Sequence, residues 1–473
     1  MHRQNAVEIR ELLNGFFMGK LYPLVFAAVV TLGHITGLEF YFNFVSLALA
    51  VTALLVCRSV RPMLITIPVF VCQVSRGHSP ANPDYSDYYF TEWRLPVLFI
   101  LGAIAVFAIV FFILRNRLYK RISISKTALL LPSLLLSAAF LTNGLGSESW
   151  RPEALAFGAG QLLIYLLVFY LFYLGLAEEK NAEELIDYFT YITLVIAYMI
   201  LVQMGHVFLF GGVISEEGSI IKDNIHLGWA TSNPLGSILV GLIPMLFYGA
   251  MKARQGWFCL LTALLVYVGA VVTCSRNALL FGTLMMLVCI VVACLKSGKR
   301  RPMFIATLAL GAVAVAVLAV ILREKLALLL NSFVKYGASD NGRFVLWRYA
   351  WDLFTENKLF GAGFFSLDDV YDGVYVSIAI MPSMAHNTVF ELLGSTGLFG
   401  LSAYAVYVWD TASLCFKKPS LIKTMLGLST FAIVLGSLLD VFVFCFYPML
   451  YPLAALAIVC HLEDMRKVQS KAS

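Results

Sequence analysis

The chain has 473 residues, 60% of them apolar and only 13% charged, with a mean hydropathy of +0.84. Soluble domains are about half apolar and a quarter charged, so this composition excludes an ordinary water-soluble fold and points to a polytopic membrane protein. The net charge of +6 is not that of a nucleic-acid patch, because the basic residues collect in short loops between apolar runs.

At about 20 residues per spanning helix the apolar runs divide into roughly fourteen predicted spans. They fall near 21–38, 40–57, 61–75, 95–114, 126–143, 154–177, 187–211, 235–251, 257–274, 277–295, 303–322, 389–409, 421–439 and 441–461. The third is short, so the expected fold is all-α with about 12–14 transmembrane helices. The first twenty residues contain Arg3, Glu8, Arg10, Glu11 and Lys20 and no small-residue cleavage site, so the first span is expected to act as its own export signal. Loops such as "CRSVRP", "RNRLYKR", "KSGKRR" and "FKKPSLIK" hold most of the lysine and arginine. By the positive-inside rule they, and both termini, are expected in the cytoplasm. The acidic loop "AEEKNAEEL" is an exception, of little weight because acids contribute little to that rule. The long segments 76–94, 144–153, 212–234 and 323–388 then lie on the outer face of the plasma membrane. The longest is expected to contain amphipathic helices.

The nine cysteines form no C-x-x-C pair, and each lies inside or at the end of an apolar run. They read as small core residues. No Walker loop, H-E-x-x-H or dinucleotide fingerprint occurs, and "GAG" at Gly361–Gly363 is too short to be more than a turn. No cofactor is expected. Within the spans the polar groups are few, His34, Gln203 and His206 among them. The carboxylates Glu39, Asp410 and Asp440 lie at span ends. A coupled transporter places ionisable groups near the midplane, and no such coupling site is visible. The polar inventory is concentrated on the outer face.

Three outer-face features stand out. In "VVTCSRNALLFG" Arg276 follows Ser275 in a junction so short that the flanking helices must be neighbours. A snorkelling arginine at a tight turn reads the same way. "SDNGRFVLWRYAWDLF" begins with Asp340 as a cap and continues as an amphipathic helix with Phe344, Trp347, Trp351 and Phe354 at helical spacing. Such a stripe suits lipid or core. Arg343 falls in the first turn, where a cation opposes the helix dipole and suggests a nearby anion. In "AHNTVFELLGSTGLFG" Thr388 and Glu391 have capping-box spacing. The helix is therefore expected to start at Thr388, with His386 and Asn387 just ahead of it. The amides of that turn and its dipole favour an anion over an imidazolium, and a neutral imidazole is the form a general base needs. The alternative is a histidine that only helps to satisfy the cap.

The serine–arginine turn, the "GRFVLWRYAWDLF" and "NKLFGAGFF" loop and the "HNTVFELLGSTGLFG" re-entry together resemble the O-antigen ligase and polymerase superfamily of bacterial membrane glycosyltransferases. The resemblance covers roughly 225–405, including "ATSNPLGSIL", whose Asn233 precedes a proline as in that family. Lys358 departs from it, since members commonly have proline before the glycine turn. The resemblance implies a metal-independent enzyme that moves a glycan from a polyprenyl-pyrophosphate carrier to a glycan, lipid or wall hydroxyl. Arg276 and Arg343 would hold the pyrophosphate, with Ser275, Asn233 and Asn387 assisting, and His386 would activate the acceptor. Whether the chain is a polymerase, a ligase or a protein-glycosylating member stays open. A flippase for lipid-linked sugars is the competing class. The acidic turn "LDDVYDG", with Asp368, Asp369 and Asp372, reads as solvated although such residues can bind a divalent ion. The implied organisation is an N-terminal bundle, 1–224, without recognised motifs, a core, 225–410, and C-terminal helices with a cytoplasmic tail, 411–473.

The orientation is testable with single-cysteine variants and an impermeant maleimide. Ser147, Ser215 and Ser339 should label from outside, and Ser297 and Ser420 should not. Labelling of Ser297 but not Ser339 would invert the topology.

Overall fold

The structure is a computed structural model, and it describes residues 2–73, 93–123, 127–215, 220–228, 230–254, 256–321, 323, 342–367, 384–444 and 446–472. It is an all-α polytopic membrane protein. The helices are α1 (His2–Met18), α2 (Leu21–Thr36), α3 (Glu39–Val56), α4 (Met63–Gln73), α5 (Arg94–Arg115), α6 (Leu130–Leu141), α7 (Pro152–Leu162), α8 (Phe169–Gly175) and α9 (Ala182–Phe210). They continue as α10 (Ser232–Lys252), α11 (Gly256–Val272), α12 (Arg276–Lys296), α13 (Arg301–Ile321), α14 (Arg343–Glu356), α15 (Thr388–Phe416), α16 (Leu421–Gly436) and α17 (Phe446–Ala472). Residues Leu163–Val168 form a π-helical stretch that joins α7 to α8.

Among the described residues seven helices are long and apolar enough to cross a membrane, or eight if the bent pair Glu8–Met18 and Leu21–Thr36 is one span. Leu130–Leu141, Gly256–Val272 and Leu421–Gly436 are apolar but shorter. The sequence-based count of 12–14 took each of these runs as a full crossing. α10 is the core of the bundle, almost wholly buried and packed against α9, α11, α12, α16 and α17. Its glycines permit this packing. A β-carbon on Gly236 would lie 2.6 Å from the Ala278 side chain on α12, and one on Gly249 would lie 2.9 Å from Cys259 on α11.

The charged helix ends gather at one end of the bundle. Arg61 pairs with Glu179 and with Glu184 (2.6 Å), and Arg121 pairs with Glu178 (2.6 Å). Lys423 reaches Glu463 at 2.7 Å, Tyr173 bonds Asp464, and the His461 ring bonds the Glu179 carbonyl at 2.9 Å. The acidic loop that stood out in the sequence thus has two uses. Its glutamates neutralise arginines of neighbouring loops, and Glu183 and Glu184 occupy the first turn of α9 behind the Asn181 cap, where the dipole favours acids.

At the opposite end the chain breaks α15 and fills the break. Gly397 has φ +64° and ψ −160°, which interrupts the helix. The freed carbonyls of Gly394 and Ser395 accept from Ala362 N (2.7 Å) and Gly363 N (3.0 Å). The freed amides of Leu398 and Phe399 donate to the carbonyls of Lys358 (2.9 Å) and Leu359 (3.1 Å). "KLFGAG" and "GSTGLFG" are therefore two halves of one backbone joint. Lys358 contributes its carbonyl, which a proline would also supply. Asn143 and Gly144, at the end of α6, seat the same turn through Gly144 N to Phe360 O (2.8 Å) and Phe364 N to Asn143 Oδ1 (3.2 Å).

The joint predicts a sharp glycine dependence. A β-carbon on Gly361, at φ +67°, would fall 2.4 Å from the Ser395 backbone. Gly361→Ala should cost on the order of 2–4 kcal/mol through left-handed strain and overpacking. The loss should appear as a lowered melting temperature of the solubilised protein. Gly102, on α5, has nothing within 4 Å, and Gly102→Ala should be neutral or slightly stabilising. Equal melting temperatures for the two variants would contradict the joint.

Candidate functional site

The α16 helix ends at Gly436, and its last carbonyls have no partner inside the helix. Leu438 N and Leu439 N turn back onto Leu435 O (3.0 Å) and Gly436 O (3.1 Å), and the carbonyls of the buried Gly436 and Ser437 and of the residues that follow take further donors from outside the helix. The donors come from the segments that the sequence singled out. Asn277, one residue after Arg276, gives its side-chain amide to Gly436 O. Thr388 N donates to Ser437 O at 3.0 Å, Asn387 Nδ2 to Leu438 O at 2.8 Å, and Arg343 Nη1 to Leu439 O at 2.8 Å. Asp440 follows, and its carboxylate takes the next set. Oδ1 receives the His386 Nδ1 position at 3.0 Å and Val441 N at 3.0 Å, while Oδ2 accepts from Asn233 Nδ2 at 3.2 Å.

His386 is placed by a strained backbone. Its φ of +51° is left-handed, uncommon for a residue with a β-carbon. The neighbouring residues hold it there. Ala385 N donates to Glu391 Oε2 at 2.8 Å, and Trp347 Nε1 donates to Ala385 O at 2.8 Å. The Trp347 ring stacks on Phe390, with centroids 5.3 Å apart and planes 8° apart. Trp347 therefore belongs to the scaffold of the site. Phe344 and Trp351 of the same expected stripe are exposed.

The helix does begin at Thr388, but its cap is not the expected capping box. Asn387 is the N-cap, and its Oδ1 accepts from Val389 N (2.8 Å) and Phe390 N (3.2 Å). Glu391 is buried and bridges Ala385 N and the Ser395 hydroxyl (2.9 Å). Thr388 is also buried, with its hydroxyl turned to Asp440 O at 3.5 Å. Asparagine outcompetes threonine because its carbonyl reaches both amides while its NH2 serves Leu438. At α14 the structure has Gly342 at the cap position, with φ +72°. Asp340, Asp368, Asp369 and Asp372 lie outside the described residues.

Of the candidate residues, His386, Asn387, Asn233 and Arg343 meet directly on 438–440. Ser275 caps α12 through Ala278 N at 3.3 Å and is fully buried. Arg276 starts that helix half-buried, next to Asn277. The residue that sequence reasoning missed as part of the site is Asp440. Its only signal was a carboxylate at the end of an apolar run.

Burial alone would raise the Asp440 carboxyl. The hydrogen bond and charge of His386, then the Arg343 charge, outweigh burial and hold it below the usual carboxylate value. The arrangement is a buried anion that fixes one ring nitrogen of a histidine whose side chain is 41% exposed. The other nitrogen is left for a ligand. Arg343, at the start of α14, is held at Leu439 O and adds its charge to Asp440, and Arg276 starts the helix whose Asn277 bonds Gly436 O.

None of the curated proteins matches the chain. Residues 260–405, which run from α11 into α15 and include Ser275, Arg276, Arg343, His386 and Asn387, match the family described as O-Antigen ligase, Wzy_C.

Proposed function

We propose that this protein is a polymerase or ligase of surface polysaccharide assembly. It moves a glycan from a polyprenyl-pyrophosphate carrier to a hydroxyl acceptor, on the outer face of the plasma membrane. The family match supports glycan transfer of the O-antigen ligase and polymerase type in general. The observation that carries the finer reading is the 3.0 Å contact of His386 Nδ1 with the buried Asp440 carboxylate. That contact orients Nε2 as the proton acceptor, as a carboxylate does for the histidine of a hydrolase triad.

In this reading His386 Nε2 takes the proton of the acceptor hydroxyl as its oxygen bonds to the anomeric carbon. The bond from that carbon to the pyrophosphate oxygen breaks, and the electron pair leaves with the pyrophosphate. Arg276 and Arg343 stabilise the departing charge, so the leaving group needs no proton. Asp440 stabilises the imidazolium until the proton passes to solvent. The activated donor supplies the energy, in keeping with a sequence that has no nucleotide fingerprint.

The depth of the site suits a membrane-held donor. α16 has 16 residues, roughly 24 Å at 1.5 Å per residue, slightly less than the roughly 30 Å hydrocarbon core. The Gly436–Asp440 segment at its end therefore sits near the headgroup level, where a polyprenyl pyrophosphate carries its phosphates. The site is also at the end opposite the Arg61–Glu179 cluster, which the positive-inside rule assigns to the cytoplasm.

Arg276→Lys should impair turnover far more than its preserved charge suggests, because an ammonium loses the planar fork. The test is a donor-saturated assay, and full turnover by Arg276→Ala would return this residue to a snorkelling role. The release of polyprenyl pyrophosphate by purified protein separates a transferase from a flippase.

His386→Ala should keep donor binding and lose on the order of 10²–10⁴ in rate. Asp440, with its carboxyl held low, keeps its charge down to below the usual carboxylate range, so its protonation should not limit the rate at neutral pH. Activity should survive chelation of divalent ions. An alanine variant with normal transfer and an altered melting temperature would make His386 structural, and loss on chelation restored by a divalent ion would make the site metal-dependent.

A further inference from the structure

Asn233 lies in the first turn of α10, the most buried of the candidate spans among the described residues, immediately before Pro234. Its amide donates to Asp440 Oδ2 at 3.2 Å, while Oδ1 of the same carboxylate meets His386 Nδ1 at 3.0 Å. Oδ2 of this buried carboxylate is thus held by an amide from a rigid helix, while Oδ1 is shared by the imidazole of a strained loop and the Val441 amide (3.0 Å). A carboxylate held at one oxygen can rotate about its terminal torsion, which is broad and roughly two-fold. Fixing Oδ2 removes that freedom and presents Oδ1 to the ring in a single orientation. Which ring nitrogen holds the proton is set by the bond that the other makes. Asn233 therefore determines the state of a side chain that it does not touch.

We propose that Asn233 is a positioning residue for the Asp440–His386 pair and not a contact for the substrate. The pair's role in transfer rests on the proposed function above, whereas the geometric claim about Asn233 does not. Asn233 spans the seam between α10 and the turn that joins α16 to α17. A serine or threonine there is too short to reach Asp440, and an aspartate would place a second carboxylate against it.

The test uses full-length protein in lipid bilayers, with no ligand added, and ¹⁵N-labelled histidine. His386 is assigned by the signal absent from His386→Gln. With the ring neutral, the wild type should show one tautomer, with the proton on Nδ1. Asn233→Ala, and Asn233→Leu, which keeps most of the side-chain volume, should populate both tautomers. Unchanged His386 signals in both variants would overturn the proposal.

Surface glycan in cells carrying the variants supplies the second readout. Asn233→Leu should lower transfer roughly 10–100-fold, as loss of an orienting hydrogen-bond partner does at other sites. It should cost nothing further in an Asp440→Asn background, whereas a substrate contact or a general structural role would cost the same in both. Transfer lost with the His386 tautomer intact would return Asn233 to substrate binding. An intact tautomer effect with normal transfer by His386→Ala would leave the inference standing and sink the proposed function instead.

Discussion

A helix that ends inside a protein must find donors for its last carbonyls, and at the end of α16 this requirement organises the site. Water satisfies such carbonyls at a surface, but Ser437 and Asp440 are buried, so protein groups must do it. The donors arrive from α12, α14 and the start of α15, and each comes from a stretch that also holds a candidate functional side chain. Asn277 ties down the helix that begins with Arg276, Asn387 sits next to His386, and Arg343 donates directly. The geometry of one helix terminus thus sets the spacing of groups that lie far apart in the chain. Hydrogen bonds to buried carbonyls such as those of Gly436 and Ser437 are costly to leave unmade, which ties α12 and the start of α15 to this turn.

The second organising element is the break at Gly397. A continuous α15 would have no free carbonyls at Gly394 and Ser395 to receive the Gly361–Gly363 turn. With the break, the turn at 358–363 is pinned by backbone bonds in both directions. Because α14 precedes that turn and packs on α15 through Ala350 against Gly394, the joint also sets where Arg343 stands. This gives a physical reason for the glycines of "GAG" and "GSTG". Two backbones approach there more closely than a β-carbon allows.

Much of the architecture was legible in the sequence because apolar runs report buried and membrane-spanning helices directly. The apolar runs became helices, and the start of α15 at Thr388 was readable from its polar turn. Hydropathy does not register where an apolar run breaks or stops short, so the runs at Leu130–Leu141 and Leu421–Gly436 form helices shorter than the full-length spans. The candidate residues were found through local signals: an arginine at a tight turn, a cation at the wrong end of a helix, a histidine before a cap. Asp440 was noted only as a span-end acid, since its partners are 54 and 207 residues away and no local pattern records them. The capping box failed for a related reason. Thr388 and Glu391 have the spacing, but Asn387 competes for the same amides and Glu391 is recruited by Ala385.

The central claim is that a pyrophosphate and an acceptor hydroxyl meet beside a histidine fixed by Asp440. It is tested most directly by an experimental structure of the protein in lipid with a non-transferable polyprenyl diphosphate. The account predicts diphosphate density held by Arg276 and Arg343, with His386 still on Asp440 and Nε2 facing the carbon end of the diphosphate. Diphosphate bound away from both arginines, or His386 swung off Asp440 when the diphosphate is in place, would contradict it.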